Sequence, residues 1–175
     1  MFTDPIKNLN ALGLREDDIV ADLGAGTGYY SLFAGALVAK GKVYAVELDK
    51  NYLETIKHKV KESHIKNVEI IWGNIEKIGG TKLADGIADA VIVSNVLFSL
   101  EDKQAFMEEI KRILKPGGKV LLVDWREDSV MGSRITIPKA KSLGIFEKAG
   151  FALARDIDAG NHHYGMILNK KQNKE

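Results

Sequence analysis

Residues 19–31 read IVADLGAGTGYYS: an apolar run, Ile19 to Leu23, passes without a break into three glycines on alternate positions, Gly24, Gly26 and Gly28, and then into a helical pattern. A strand that turns so sharply into a helix is the opening βα unit of an open parallel sheet. Glycines at such a turn accept positive φ and let a ligand lie against bare backbone, facing the amides of the helix start.

The rest of the chain repeats that alternation. Apolar runs predict strands at Lys42 to Leu48, Val68 to Trp72, Ile87 to Ser94 and Lys119 to Val123. Helices are expected at about Tyr29 to Ala39, Asn51 to Glu62 and Asp102 to Leu114. Strands alternating with helices give a doubly wound α/β sheet, mostly parallel, with helices on both faces. Gly73 to Gly86 reads as a long irregular connection, and Lys115-Pro116-Gly117-Gly118 as a turn that stops the preceding helix. Pro138 opens a last helix that ends near Gly150. Phe151 to Ile157 and His163 to Leu168 are joined too tightly for a parallel pair, so one reversed strand is expected near the C-terminus. The chain reads as one domain, 1–175: an N-terminal helical segment (1–17), a ligand-binding core (18–125), and a C-terminal helix and hairpin (126–175).

Composition narrows the function classes. Among 175 residues there is no cysteine, which removes disulfides, thiolate metal sites and cysteine nucleophiles. No metal site is expected. A net charge of +1 gives no general pull toward nucleic acid or an anionic membrane, and the lysines after Asn169 read as a solvated tail. The start, MFTDPIKNLN, lacks the pattern of a signal peptide, and no apolar stretch is long enough to span a bilayer. A cytoplasmic location without membrane insertion is the expectation.

About twenty residues past the glycines, the second strand ends in Glu47, where doubly wound nucleotide binders place a carboxylate for both ribose hydroxyls. The glycine spacing is G-x-G-x-G rather than the G-x-G-x-x-G of pyrophosphate binders, and Asp22 precedes the loop. A carboxylate there repels pyrophosphate but suits a ligand with an ammonium and a sulfonium.

VADLGAGTGYYS resembles the first motif of class I S-adenosylmethionine-dependent methyltransferases, and KVYAVELDKNYL their second. WGNIEK, DAVIVSNVLFSLED and LKPGGKVLLVDW resemble the segments at the third, fourth and fifth strands, in family order. The likeness runs from Asp18 to Trp125 and is nearest to the type 11 group, which includes quinone methyltransferases. It implies S-adenosylmethionine as cofactor and S-adenosylhomocysteine as product. Gly24, Gly26 and Gly28 would line its methionine part and Asp22 would hold its amino group. Glu47 would take the ribose, and Leu48 would pack on the adenine. Asn74, where the family commonly has Asp, and Ile75 would meet the adenine edge and face; Ser94 and Asn95 would lie by the methyl donor. The acceptor is expected to be a small or lipid-like molecule, with a protein or RNA methyltransferase as the alternative. A nicotinamide-dependent oxidoreductase and a non-catalytic cofactor binder are remoter ones.

The family topology brings the fifth strand's end, Asp124-Trp125-Arg126, beside the start of the reversed strand, His162-His163-Tyr164. His162, His163 and Asp124 are the candidates to accept the acceptor's proton, with Trp125 for stacking. The bland reading makes the histidines structural and pairs Asp124 with Arg126 or Lys139. With no room for a large lid, the site is expected to be open, or completed by Phe2 to Leu14, by the 124–138 loop, or by a second subunit in a homo-oligomer. No clear nucleic-acid surface is visible.

Overall fold

A computed structural model describes residues 3–129 and 135–171. Phe2, part of the 124–138 loop and the end of the lysine tail lie outside them. In chain order the elements are α1 (Pro5–Leu12), β1 (Ile19–Leu23), α2 (Tyr29–Leu37), β2 (Lys42–Glu47), α3 (Lys50–Glu62), β3 (Val68–Trp72), β4 (Ala88–Ser94), α4 (Lys103–Ile113), β5 (Leu114–Trp125), α5 (Lys139–Lys148), β6 (Phe151–Ile157) and β7 (His163–Lys170). A short 3₁₀ turn, Leu97–Ser99, follows β4.

The strands form one seven-stranded sheet in the order β3-β2-β1-β4-β5-β7-β6. All neighbours pair in parallel except β5 with β7 and β7 with β6, so β7 alone is reversed, as expected. β1, β4 and residues 120–123 of β5 are nearly continuous apolar runs because helices bury both of their faces. On one face Leu23, Val91 and Leu122 pack with Phe106, Ile110 and Ile113 of α4 and Phe146 of α5. On the other, Val20, Ile92 and Val123 pack with Leu9 and Leu12 of α1 and Tyr30 and Ala34 of α2. Aspartates cap three of the helices: Asp4, Asp49 and Asp102 accept from the first-turn amides of α1, α3 and α4.

The Lys115–Gly118 segment differs from its expected form. α4 ends at Ile113, and Leu114 at once pairs with Ala88; the next pair is Ala90 with Lys119. The four residues between, with Gly117 at φ +74°, bulge out of β5 rather than separate it from the helix. Lys115 reaches back to Asp89, the single β4 residue opposite the bulge, at 2.7 Å.

The connection between β3 and β4 is held by one buried carboxylate. Glu109 of α4, fully buried, accepts from the Gly79 amide (2.7 Å), the Thr81 amide (3.1 Å) and the Thr81 hydroxyl (2.5 Å). Arg112 pairs with the same carboxylate at 2.8 Å and with Asp85 at 2.5 Å. Burial pushes the Glu109 carboxyl upward, but the bonds from Arg112, Thr81 and Gly79 outweigh it and hold it at about 2. This clamp fixes the segment that carries Asn74 and Ile75.

Candidate functional site

The sheet order reverses direction between β1 and β4, and ligands of open α/β sheets bind at the carboxyl ends on either side of such a point. A cavity of about 580 Å³ opens there. Nine of the ten residues expected to hold a cofactor line it: Asp22, Gly24, Gly26, Glu47, Leu48, Asn74, Ile75, Ser94 and Asn95. Gly28 is the exception. It caps α2 at φ +75°, and a Cβ there would meet Ile56 at 3.0 Å, so it serves the turn and the packing of α3.

The glycines divide the work. Gly24 lies under Val96, whose Cγ2 would sit 2.6 Å from an added Cβ. Gly26, at φ +53°, would meet nothing within 4 Å, so the space over it is open. Its amide donates to Glu47 Oε2 at 2.8 Å, while Glu47 Oε1 accepts from the Leu48 and Asp49 amides at 2.8 and 2.9 Å. The end of β2 and the glycine loop are thus tied through one carboxylate, which stays partly exposed at the cavity wall.

Asp22 lies at the buried end. Its Oδ2 accepts from Ser31 Oγ at 2.6 Å, and burial pushes its pKa up to about 6 against that bond. A buried acid facing a cavity is expensive unless something cationic meets it. Asn95 shows a related cost. It holds φ +55°, rare for a residue with a side chain, and its buried Oδ1 has no hydrogen-bond partner. Backbone strain and an orphaned carbonyl at one position mark a binding site better than a packing site. Asn74 Oδ1 already accepts from the Glu76 amide at 2.8 Å, so its carbonyl first serves the local turn. Leu48 is 54% exposed at the cavity wall, an apolar surface awaiting cover.

The rim at the ends of β5 and β7 is a separate place. Trp125 pairs with His163 and Asp124 with Tyr164, so the two strands are neighbours as expected. None of Asp124, His162 and His163 lines the cofactor-side cavity; His163 lines a second one of about 520 Å³, with Arg126, Lys139 and Gly160. Strand alternation also divides the three. Leu122 and Tyr164 belong to the α4–α5 face and Val123 to the α1–α2 face, which sends Asp124 to the former and His163, stacked on Trp125 at 4.0 Å, to the latter. Asp124 is buried; Oδ1 accepts from the Trp125 amide, Oδ2 lacks a partner, and burial raises its pKa to about 6. His163 is buried with both ring nitrogens unpartnered, and burial lowers its pKa to about 4. His162 Nδ1 lies 3.2 Å from Ser129 Oγ. The ion pairs weighed for Asp124 go elsewhere: Arg126 meets Asp128 and Lys139 meets Asp156.

Sequence reasoning missed several residues of the cavity wall, among them Tyr30, Tyr52 and Val96, while Thr3 of the Phe2 to Leu14 segment lines it as one expectation had it. The tyrosines stand in or beside the quoted motifs, but only packing shows which of them faces inward. Trp72, at the end of β3, is 53% exposed; its Nε1 donates to the Leu48 carbonyl at 3.0 Å, and Lys50 and Lys82 flank its ring.

Comparison with known proteins agrees with this geometry. A family profile described as "Methyltransferase domain" matches residues 21–122, more than half of the chain. The chain belongs to this methyltransferase family. A demethylmenaquinone methyltransferase of Geobacillus sp. is 30% identical over 132 residues, 75% of this chain and 54% of the relative. One from Bacillus mycoides is 32% identical over 129 residues, 73% of this chain and 53% of that one. The chain therefore spans about half the length of the curated relatives it matches. The crystal structure of an S-adenosylmethionine-dependent methyltransferase from Aquifex aeolicus superposes with a TM-score of 0.89 at 28% identity, covering 97% of this chain and 91% of that one. The [4+2]-cyclase SpnF shares the fold at a TM-score of 0.80 and 14% identity, with 93% of this chain and 78% of that one covered. That protein is named as a cyclase, so the fold alone does not name the chemistry. Among the described residues no helix is long and apolar enough to cross a membrane, and no cluster of metal-ligating side chains occurs.

Proposed function

We propose that this methyltransferase-family chain transfers a methyl group from S-adenosylmethionine to a small or lipid-like acceptor. The observation that carries the reading is the cavity at the strand-order reversal, with a buried acid at one end, a ribose-type carboxylate on its wall and a strained asparagine between. When bound there, S-adenosylmethionine supplies a methyl group on a positively charged sulfur, open to in-line attack.

The chain's own residues would bind and orient. Asp22 would face the amino group, and its ionised form, costly when alone, gains a cationic partner. Glu47, still partly exposed, would accept the ribose hydroxyls while keeping the Gly26 amide. Leu48 and Ile75 would cover the adenine faces and Asn74 its edge, chiefly through its Nδ2 and remaining lone pair. Ser94 and Asn95 would stand beside the transferred group, where holding two reactants in line supplies most of the rate.

For the acceptor's proton the candidates remain Asp124, His162 and His163. Asp124 comes first: it lies one residue beyond Val123, the β5 partner of the cavity-lining Ser94, and its raised pKa makes it a competent base near neutrality. The same reading takes 1–175 as one domain, with the segment up to Leu14 that includes Thr3 closing part of the site, and assigns it to the cytoplasm. The quinone-directed relatives favour a lipid-like acceptor over protein or RNA. Incubation with methyl-labelled S-adenosylmethionine and fractionated cell extract tests the activity. Label should enter an organic-soluble product, and a catalytically empty screen in all fractions would count against the reading.

A further inference from the structure

The net charge of +1 hides an uneven distribution. From the first residue of α3 to Lys82 the chain holds seven lysines against four glutamates, which leaves the remainder net negative. Among the described residues only Lys57 of the seven meets a carboxylate, Glu54 at 2.5 Å. Glu69 is taken by Lys42, from outside the segment, at 2.6 Å, and Glu76 by the Glu101 and Asp102 amides. The excess of positive charge is therefore uncompensated, and it lies along one edge of the molecule, where β3 is the outermost strand.

Helical spacing puts Lys50, Lys57 and Lys61 on one stripe of α3. Lys57 and Lys61, with His64 and Lys66, rim a shallow groove of about 370 Å³ whose floor is Val60, Ile65 and Ile70. Val68 and Ile70 pack with Ile56 and Val60 of α3, and strand alternation puts Trp72 on that same face of β3. Lys50 and Lys82 stand over its exposed indole at 5.4 and 5.1 Å. From Lys66 to Trp72 the strip is about 20 Å long at the rise of an extended strand. Its indole end adjoins the first cavity, because Trp72 pairs with Glu47 and bonds the Leu48 carbonyl, and both of those residues wall that cavity.

We propose that this edge docks on the surface of an anionic phospholipid bilayer, its lysines over the phosphates and the Trp72 indole among the headgroups. The ammonium groups are spread along a strip instead of converging on one point, which matches a field of phosphates better than a single ligand. The indole turns its N–H into the protein and leaves an apolar body to enter the interfacial layer. The groove floor is aliphatic, so it meets acyl carbon and gives a nucleobase nothing to stack on. Docking brings the first cavity to the bilayer, where a lipid-like acceptor resides. The proposal stands on surface chemistry alone, so it and the methyl-donor reading can fail independently.

Sedimentation of the full chain with vesicles tests it. The chain should bind vesicles that contain phosphatidylglycerol, leave vesicles of phosphatidylcholine alone, and be released as salt rises. Lys61→Glu with Lys66→Glu reverses two exposed lysines of the groove rim and should weaken binding roughly tenfold or more. Lys141→Glu with Lys148→Glu makes the same charge change on α5 and should cost about threefold at most. In Trp125→Phe, where Trp72 is the remaining tryptophan, emission should move to the blue on phosphatidylglycerol vesicles. Equal binding to both kinds of vesicle, equal losses from the two charge-reversal pairs, or an unmoved Trp72 emission would overturn the proposal. So would retention of a single-stranded RNA in place of vesicles, or release by inorganic phosphate at an ionic strength where chloride releases none.

Discussion

The amide of Gly26 and the carboxylate of Glu47 are joined at 2.8 Å, so the loop after β1 and the end of β2 form one wall. Glu47 serves the Leu48 and Asp49 amides with its other oxygen. Glu47→Gln keeps the shape but has one carbonyl for these three donors, so its NH₂ must face at least one amide. Cofactor affinity should fall by about 1–3 kcal/mol, and the fold should lose about 1 kcal/mol. Calorimetry and thermal melting check the two numbers; unchanged affinity would place the ribose elsewhere.

Gly26→Ala separates binding from folding. Its Cβ would meet no protein atom, so the fold pays only for a side chain at φ +53°, about 1 kcal/mol. The same methyl group would stand where the ligand meets backbone. Circular dichroism and melting should stay near wild type while cofactor binding weakens at least tenfold. Normal binding would show that the open space over Gly26 is not the ligand's.

Asp22 links cofactor affinity to pH. Its folded pKa, about 6, lies above the ordinary value of 3.8, so the ionised form costs stability. That cost is absent below about pH 4, grows as pH rises, and is complete above about pH 6, where it reaches about 3 kcal/mol at most. Asp22→Asn without ligand should therefore melt higher than wild type at pH 8, with the advantage gone at pH 4. It should also bind the cofactor more weakly, and wild-type affinity should decline below pH 6. A pH-independent affinity would remove Asp22 from the ammonium.

Much of this was legible in the sequence because strand ends and glycines carry their meaning locally. Ile19–Leu23 running into Gly24 and Gly26, and Lys42–Glu47 ending in its acid, fix the cavity wall from short-range pattern alone. What stayed hidden depends on facing. Asp124 and His163 stand on neighbouring strands, but strand alternation sends them to opposite faces of the sheet. Thr3 lines the cavity because α1, packed through Leu9 and Leu12 on α2 and β5, brings its segment there, a contact between distant parts of the chain. Lys115-Pro116-Gly117-Gly118 has turn chemistry, yet Leu114 pairs before it, so the turn becomes a bulge.

The proton-accepting groups differ in where they titrate. If Asp124 acts, turnover at saturating cofactor should rise with pH through an apparent value near 6, and Asp124→Asn should lower it roughly 10²–10⁴-fold and erase that limb. Action by His163 would place the limb near 4. Separate Asn substitutions at His162 and His163, followed by melting and turnover, distinguish a chemical from a structural role. Full activity in all three variants would leave a transfer driven by alignment alone.

Glu109 tests how the adenine side is held. Its carboxylate joins Arg112 to the Gly79 and Thr81 amides, so Glu109→Ala leaves two amides and the Thr81 hydroxyl without their acceptor and Arg112 with Asp85 as its remaining carboxylate. The variant should lose about 3–5 kcal/mol of stability. Because the native pKa is held down near 2, the wild-type contribution is complete above about pH 4.5 and fades as pH falls toward 2. Chemical denaturation at pH 7 and pH 3 measures both; equal stability of variant and parent at pH 7 would show the clamp to be idle.

Ligand-dependent melting of the wild-type chain tests the central claim most directly. S-adenosylmethionine or S-adenosylhomocysteine at about a hundred times its dissociation constant should stabilise the fold by roughly 2.7 kcal/mol, while NAD should leave the transition where it is. A shift with NAD, or no shift with either sulfur ligand in a cooperatively folded sample, would contradict the account.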